Sequence, residues 1–374
     1  MVYDVIVSGL GPAGATFLKR LSGSGLKVLA LEKEEFPRKK PCAGGLTQKA
    51  YQLLERNFPG VNQVVRVSSR VLELHYKNKR AEVKSGVVLT HLTDREELDD
   101  FLFNSLPFKE FEVHAGESTL SAEREQEGTL RVRTSKGSYR CRVLVVADGA
   151  NSRIANQFKV KKEVGFTYEA DVSHQPPGGK IIIDFSGFSW GYYWAFPKGD
   201  FITTGLGEFK NRRLFKELPS LLTRLNAKHG IGGKVIWERG FPIPAGQRRN
   251  DVYRKQILFL GDSGGLVDPL TGEGIFYAAR SGEIGAEVVK SAFARGDFER
   301  LSVYKDWIDG EMGEEFFWAG VVGKLFFPLR GLNFFVLRRS REVALLAARL
   351  LSGDISYKEG FFKYLKLFPR ALFK

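Results

Sequence analysis

Val5-Ile6-Val7-Ser8-Gly9-Leu10-Gly11-Pro12-Ala13-Gly14 reads as an apolar strand that turns, over three spaced glycines, into a helix. In such a turn the first glycine permits a tight bend and the second lets backbone amides approach a pyrophosphate. The third lets the helix pack closely on the sheet. The pyrophosphate then lies at a helix N-terminus, where free N–H groups and the macrodipole stabilise negative charge. Lys27 to Glu32 reads as the next strand, closing a βαβ unit of about thirty residues. Glu32 stands 18 residues after Gly14, where a carboxylate accepts hydrogen bonds from an adenosine ribose. Pro12, Ala13 and Lys33 are neighbouring contact positions. This stretch alone does not separate a nicotinamide from a flavin dinucleotide.

Two later patches separate them. Val143-Leu144-Val145-Val146-Ala147-Asp148-Gly149 and Ile257-Leu258-Phe259-Leu260-Gly261-Asp262 each place an acid after a buried apolar strand. An acid there emerges at the C-terminal edge of a sheet, where α/β proteins bind ligands. Asp148 and Asp262 can hold a ribityl chain, which a nicotinamide dinucleotide lacks. Gly272, Glu273, Gly274 and Ile275 precede a helix and set backbone amides where a reduced isoalloxazine carries negative charge. The expected cofactor is FAD.

The remaining composition narrows the class. Over 374 residues, 43% hydrophobic and 27% charged content suits a folded globular protein. Two cysteines, Cys42 and Cys141, form no CxxC pair and no disulfide framework, which suits a reducing cytoplasm. The five histidines stand at least 16 positions apart, so no metal is expected. Asp4 and the early glycines argue against a signal peptide. The most apolar stretch, Ala319 to Leu337, contains Lys324, Arg330 and Pro328, and a central charge costs about 2.5–3.5 kcal/mol on insertion.

The net charge of +14 is concentrated late: Ala319 to Lys374 holds eleven Lys/Arg and three acids. These interleave with Phe326, Phe327, Phe334, Phe335, Phe361, Phe362, Phe368 and Phe373, a pattern suited to a helix lying on an anionic membrane. A helical cap with aromatics packed on the body is the alternative. No nucleic-acid motif accompanies the charge. The expected location is cytoplasmic, peripheral on the membrane face.

The chain reads as α/β: a Rossmann-type FAD-binding domain with an inserted antiparallel β-sheet substrate domain and a C-terminal helical region. Residues 1–62, 89–160 and 255–300 are assigned to the first, 63–88 and 161–254 to the second, and 301–374 to the third. Thr93 to Leu106 reads as a helix with Thr93 as N-cap and Glu96 completing a capping box. Lys77 to Arg80 reads as a hairpin turn, Gly274 to Ala294 as a helix, and three or four helices follow.

The order GxGxxG, DG, GD resembles the p-hydroxybenzoate-hydroxylase-like flavoproteins. Within them the chain resembles the geranylgeranyl reductase family over nearly its full length. Four stretches carry this: Lys40-Pro41-Cys42-Ala43-Gly44-Gly45-Leu46, Ala147-Asp148-Gly149-Ala150-Asn151-Ser152, Tyr192-Tyr193-Trp194-Ala195-Phe196-Pro197 with Gly205-Leu206-Gly207 seven residues on, and Gly261-Asp262-Ser263-Gly264-Gly265. Ala43 departs from the glycine of many relatives. Arg95 matches the arginine by which such flavoproteins hold FAD, and the loop Cys42, Ala43 and Gly44 falls beside the flavin.

The resemblance implies saturation of carbon–carbon double bonds in a prenyl chain by hydride from flavin N5 plus a proton. An isolated trisubstituted alkene is a poor hydride acceptor and needs electrophilic help. Tyr192, Trp194 and Phe196 alternate along a strand and share one face. They can line an apolar tunnel and stabilise cationic charge, by roughly 0.5–2 kcal/mol each, with Pro197, Gly205 and Gly207 completing the wall; an ordinary aromatic core is the alternative. A cysteine thiol is mostly protonated at neutral pH, so Cys42 can donate a proton, or it is a small packing residue. Lys198 meets a diphosphate head group or is a solvated lysine.

The electron donor is expected to be NADPH or a ferredoxin-like carrier drawn by the positive surface. A flavin monooxygenase or halogenase on the same scaffold is the competing reading. A quinone-reducing flavoprotein is disfavoured, because two cysteines cannot hold an iron–sulfur cluster.

Overall fold

A computed structural model describes residues 1–125, 128–174 and 179–372. Phe373, one of the C-terminal phenylalanines, lies outside them.

Val2–Ser8 is the central parallel strand, flanked by Ser138–Val146 on one side and Val28–Leu31 on the other. Ile257–Phe259 extends this sheet beyond Ser138–Val146, and Glu112–His114 beyond Val28–Leu31, both in parallel. Such strands are covered on both faces, hence their unbroken apolar runs. Three strand ends, at Ser8, Val146 and Phe259, therefore bring all three glycine-and-acid patches to one edge. The helices Pro12–Leu21 and Ile275–Arg295 pack on one face through Phe17, Ile284, Ala279 and Ala286.

The second sheet has seven strands, ordered Val235–Ala245, Glu163–Val172, Ile202–Glu208, Gly191–Pro197, Ile181–Asp184, Val71–Tyr76 and Lys79–Lys84. It is mixed rather than wholly antiparallel, because Ile181–Asp184 runs parallel to Val71–Tyr76. The helix Leu218–Lys228 covers one face through Leu218, Leu222 and Leu225. Phe327, Phe334 and Leu337 of the C-terminal helices cover the other.

Three local expectations are corrected. The helix after Thr93 spans Arg95–Asn104 with Asp94 as its N-cap, the Asp94 carboxylate accepting from the Glu96 amide. Thr93 belongs to the preceding strand, and its hydroxyl donates to the Val64 carbonyl. The hairpin turn narrows to Lys77-Asn78, with the next strand starting at Lys79. Among the described residues five α-helices follow Arg295: Val303–Ile308, Glu314–Phe326, Arg330–Arg339, Arg341–Leu351 and Tyr357–Leu372.

Candidate active site

The glycine turn is built by contact, not only by pattern. Gly9 has φ +95°, and a Cβ on Gly14 would lie 1.9 Å from the Gly9 carbonyl oxygen. Both positions therefore require glycine. Glu32 is buried, accepting the Leu10 amide at 2.8 Å and the Glu34 amide at 3.2 Å. This carboxylate thus fixes the turn itself. Neither Pro12–Leu21 nor Ile275–Arg295 has a side-chain cap at its N-terminus, so the first amides of both helices are free for an anion. Asp148 carries a buried, unpartnered Oδ1, an oxygen left free to accept a bond from a ligand. Burial pushes its carboxyl up to about 6 against a Ser152 hydrogen bond. Asp262 lies 3.6 Å from Lys40.

From this edge a cavity of about 350 Å³ runs inward between the seven-stranded sheet and the C-terminal helices. Pro12, Asp262, Gly272, Gly274 and Ile275 line its polar end, beside the loop Lys40 to Gly45. The body is apolar, walled by Leu72, Ile183, Phe185, Tyr192, Trp194, Phe196, Phe326, Phe334 and Leu351. Tyr192 and Trp194 meet edge to face with centroids 6.0 Å apart. Tyr193 and Ala195, on the opposite face of the strand, belong to a separate core with Leu222.

The FAD-binding-domain family pattern matches residues 2–281. The chain belongs to the geranylgeranyl reductase family of FAD flavoproteins. It is 30% identical over 371 residues to an uncharacterized protein of Methanosarcina barkeri, covering 96% of this chain and 93% of that one. It is 28% identical over 319 residues to a geranylgeranyl diphosphate reductase of Rhodobacter capsulatus, covering 79% and 77%. The fold matches that of a geranylgeranyl bacteriochlorophyll reductase-like protein of Thermoplasma acidophilum with TM-score 0.82 and 20% identity, over 98% and 99% of the two chains. The cofactor of this flavoprotein is FAD. The free helix termini, the glycine cradle and the orphaned Asp148 oxygen fit it.

A short loop, Lys40 to Gly45, borders the polar end of the cavity. Here a Cβ on Gly44 would lie 1.9 Å from the Thr93 carbonyl oxygen, so backbone packs directly on backbone. The Cys42 amide donates to Glu169 at 2.8 Å, and the Cys42 Sγ accepts the Gly44 amide at 3.4 Å.

Several expected site residues have other roles. The Lys198 ammonium is buried and donates to the carbonyls of Ala43 at 2.6 Å and Thr93 at 2.8 Å. It clamps the loop and meets no head group; burial pulls it down to about 8. Arg95 is also buried and forks onto Asp99 at 2.9 and 3.0 Å, while still lining the cavity beside the Cys42 loop. The Tyr192 hydroxyl donates to the Thr271 carbonyl and burial pushes it up, which anchors its ring at the cavity wall where it was expected. Lys33 is exposed and pairs with Glu34 at 3.4 Å. Pro197 and Gly205 lie off the cavity; Gly205 instead makes room for the Trp194 indole, which a Cβ there would meet at 2.3 Å.

Two functional residues escaped the motif reading. Arg38 lies 3.4 Å from where a Gly11 Cβ would stand, 3.8 Å from Glu32 and 3.1 Å from Asp99. Its Nε is buried without a partner, beside the Gly9 to Gly14 turn. Glu169 lines the cavity from the strand Glu163–Val172; burial pushes it up to about 8 against the Cys42 amide.

Proposed function

We propose that this FAD-dependent oxidoreductase saturates carbon–carbon double bonds of a geranylgeranyl chain carried on a lipid or a diphosphate. The observation that carries the reading is the cavity: one continuous space, polar where the glycine turns converge and aromatic or aliphatic elsewhere. Reduced FAD, when bound, supplies a hydride from N5. The chain's own residues supply the rest.

The aliphatic wall takes up a prenyl chain and excludes water, at roughly 0.8 kcal/mol per buried methylene. Trp194 and Tyr192 turn ring faces and edges toward the chain, so cationic character at a tertiary carbon is stabilised. The anchored Tyr192 hydroxyl keeps its ring fixed. Cys42, at the flavin end, holds the proton that the second alkene carbon receives.

Exposed Phe317, Leu325, Leu329, Leu332, Phe335, Phe362 and Leu365 on the C-terminal helices, interleaved with lysine and arginine, support peripheral attachment to an anionic membrane on its cytoplasmic side. Among the described residues no single helix is long and apolar enough to cross a membrane. NADPH or an acidic ferredoxin-like carrier is the proposed electron donor.

The test is anaerobic incubation of the FAD-loaded protein with dithionite and geranylgeranyl diphosphate or a geranylgeranyl lipid. Mass spectrometry should find products heavier by two hydrogens per reduced bond. Turnover only with oxygen, giving a hydroxylated or halogenated product, would overturn the reading.

A further inference from the structure

A second, small cavity lies behind the Cys42 loop, away from the apolar tunnel. Its volume of about 10 Å³ suits a single water, and it is lined by Lys39, Asp171, Lys198, Thr203, Cys42 and Glu169 among others. Cys42 and Glu169 line both cavities. Glu169 is therefore a buried carboxyl that borders both the small chamber and the apolar space, as do Lys40 and Arg95. On the chamber's outer side the Asp171 carboxylate accepts from Thr203 at 2.8 Å and lies 3.6 Å from Lys39, whose side chain is 39% exposed. Lys39, Asp171 and Glu169 thus line one chamber between a partly exposed lysine and the Cys42 loop.

We propose that Glu169 is the proton relay of this site, recharging Cys42 from solvent through the chamber. The inference rests on the reductase reading, in which the Cys42 S–H bond breaks as a C–H bond forms on the substrate. The S–H bond then re-forms as the Glu169 O–H bond breaks. The Glu169 carboxylate regains its proton from the chamber water, past Asp171 and Lys39. No oxidant or reductant is consumed, and one solvent proton enters per double bond.

The surroundings suit a group that gains and loses a proton near neutrality. Burial favours the neutral acid, while the Cys42 amide, Lys198 and Arg95 favour the carboxylate and the neighbouring Asp171 opposes it. Asp94 and Lys40 complete the charged groups facing the chamber. Arg95 lies beside the Cys42 sulfur and can steady a transient thiolate. A purely structural partner for the Cys42 amide needs neither protonation nor a water chamber behind it.

The test uses the FAD-loaded full chain with E169Q, whose amide oxygen keeps the Cys42 hydrogen bond, and with D171N at the far side of the chamber. With excess dithionite and geranylgeranyl diphosphate, E169Q should complete its first turnover at close to the wild-type rate. It should then slow by roughly 10²-fold, a burst absent from wild type, with E169D partly restoring the steady state. D171N should slow the steady state in the same sense. The wild-type steady-state rate should fall as pH rises through about 8, and E169Q should lose that limb. Independently of turnover, infrared titration of the protein without FAD should show a buried carboxylic acid band that ionises in the same range and is missing from E169Q.

Equal first-turnover and steady-state rates in E169Q, or an unchanged pH profile, would overturn the relay while leaving the reductase reading intact. Failure of wild type to reduce any prenyl chain would instead sink that reading, and the infrared titration would still report on Glu169.

Discussion

Replacing Gly205 by alanine tests whether the double glycine after the aromatic strand exists to seat an indole. Gly205 pairs with Trp194 across neighbouring strands, so an added methyl rises on the same face as the ring. It would stand 2.3 Å from Trp194 Cζ2 and 2.5 Å from Cε2, whereas ordinary contact begins at 3.4 Å. The ring must withdraw by about 1 Å, and the open side is the apolar cavity it lines. Overpacking of this kind costs roughly 1–3 kcal/mol. At 1.4 kcal/mol per tenfold, prenyl affinity should fall roughly 5- to 150-fold. Titrating geranylgeranyl diphosphate against the flavin absorbance measures it, and the FAD content should stay at the wild-type level because the glycine turns lie elsewhere. Gly207→Ala is the control: its nearest contact is Thr167 Cγ2 at 3.1 Å, and Trp194 stands 3.8 Å away. Unchanged prenyl affinity and unchanged thermal stability in Gly205→Ala would refute the reasoning.

Gly14→Ala places a methyl 1.9 Å from the Gly9 carbonyl oxygen and should cut FAD content by about tenfold or more, read as lost visible absorbance of the purified protein. Asp184 is buried against Lys228 at 2.7 Å and His229 at 2.9 Å. Asp184→Ala strands both partners and should cost about 3–5 kcal/mol in urea unfolding. Burial pushes the Asp184 carboxyl up, but bonds from His229, Lys228 and Ser186 hold it well below the usual range. Its contribution is therefore present above about pH 4 and lost as pH falls, and the variant should lack that acid-dependent loss. Asp148 has the opposite sign: burial raises it from 3.8 to about 6. The folded apoprotein should lose stability as pH climbs between those values, by about 3 kcal/mol. Urea unfolding of Asp148→Asn apoprotein across pH 4 to 7 should show that decline removed.

The fold was legible where one residue type meets a demand that no other can. Gly14 must admit the Gly9 carbonyl, and the runs Val143 to Val146 and Ile257 to Phe259 are apolar because both faces of their sheet are covered. Glu163–Val172 was not legible, because Glu163, Glu169 and Asp171 leave it without an apolar run. The signal was present in its alternation: Glu169 and Asp171 share one face, while Ala170 and Val172 join the core on the other. Two acids in register on a central strand indicate a buried polar chamber as readily as a surface. Lys198 misled for a similar reason. Lys198-Gly199-Asp200 has the composition of an exposed turn, yet the lysine bends back beneath the Cys42 loop.

That loop explains why the site is harder to read than the fold. Its working contacts are the Cys42 amide to Glu169, the Ala43 carbonyl to Lys198 and the close approach of Gly44 to the Thr93 carbonyl. Each contact uses the loop's backbone, which is the same for every residue type, so identity along Lys40 to Gly45 carries little of it. Gly44 and Gly45 leave a mark, because a Cβ would stand 1.9 Å from the Thr93 carbonyl oxygen at the first and 2.9 Å from the Phe196 ring at the second. Buried groups compensate from outside the loop: Lys198 donates to its Ala43 carbonyl, Glu169 accepts its Cys42 amide, and Arg95 flanks its sulfur. Burial costs an uncompensated charge several kcal/mol, so these groups must stand together. A loop held in this way stands between the small chamber and the apolar tunnel while leaving one carboxyl and one thiol, flanked by Lys40 and Arg95, common to both.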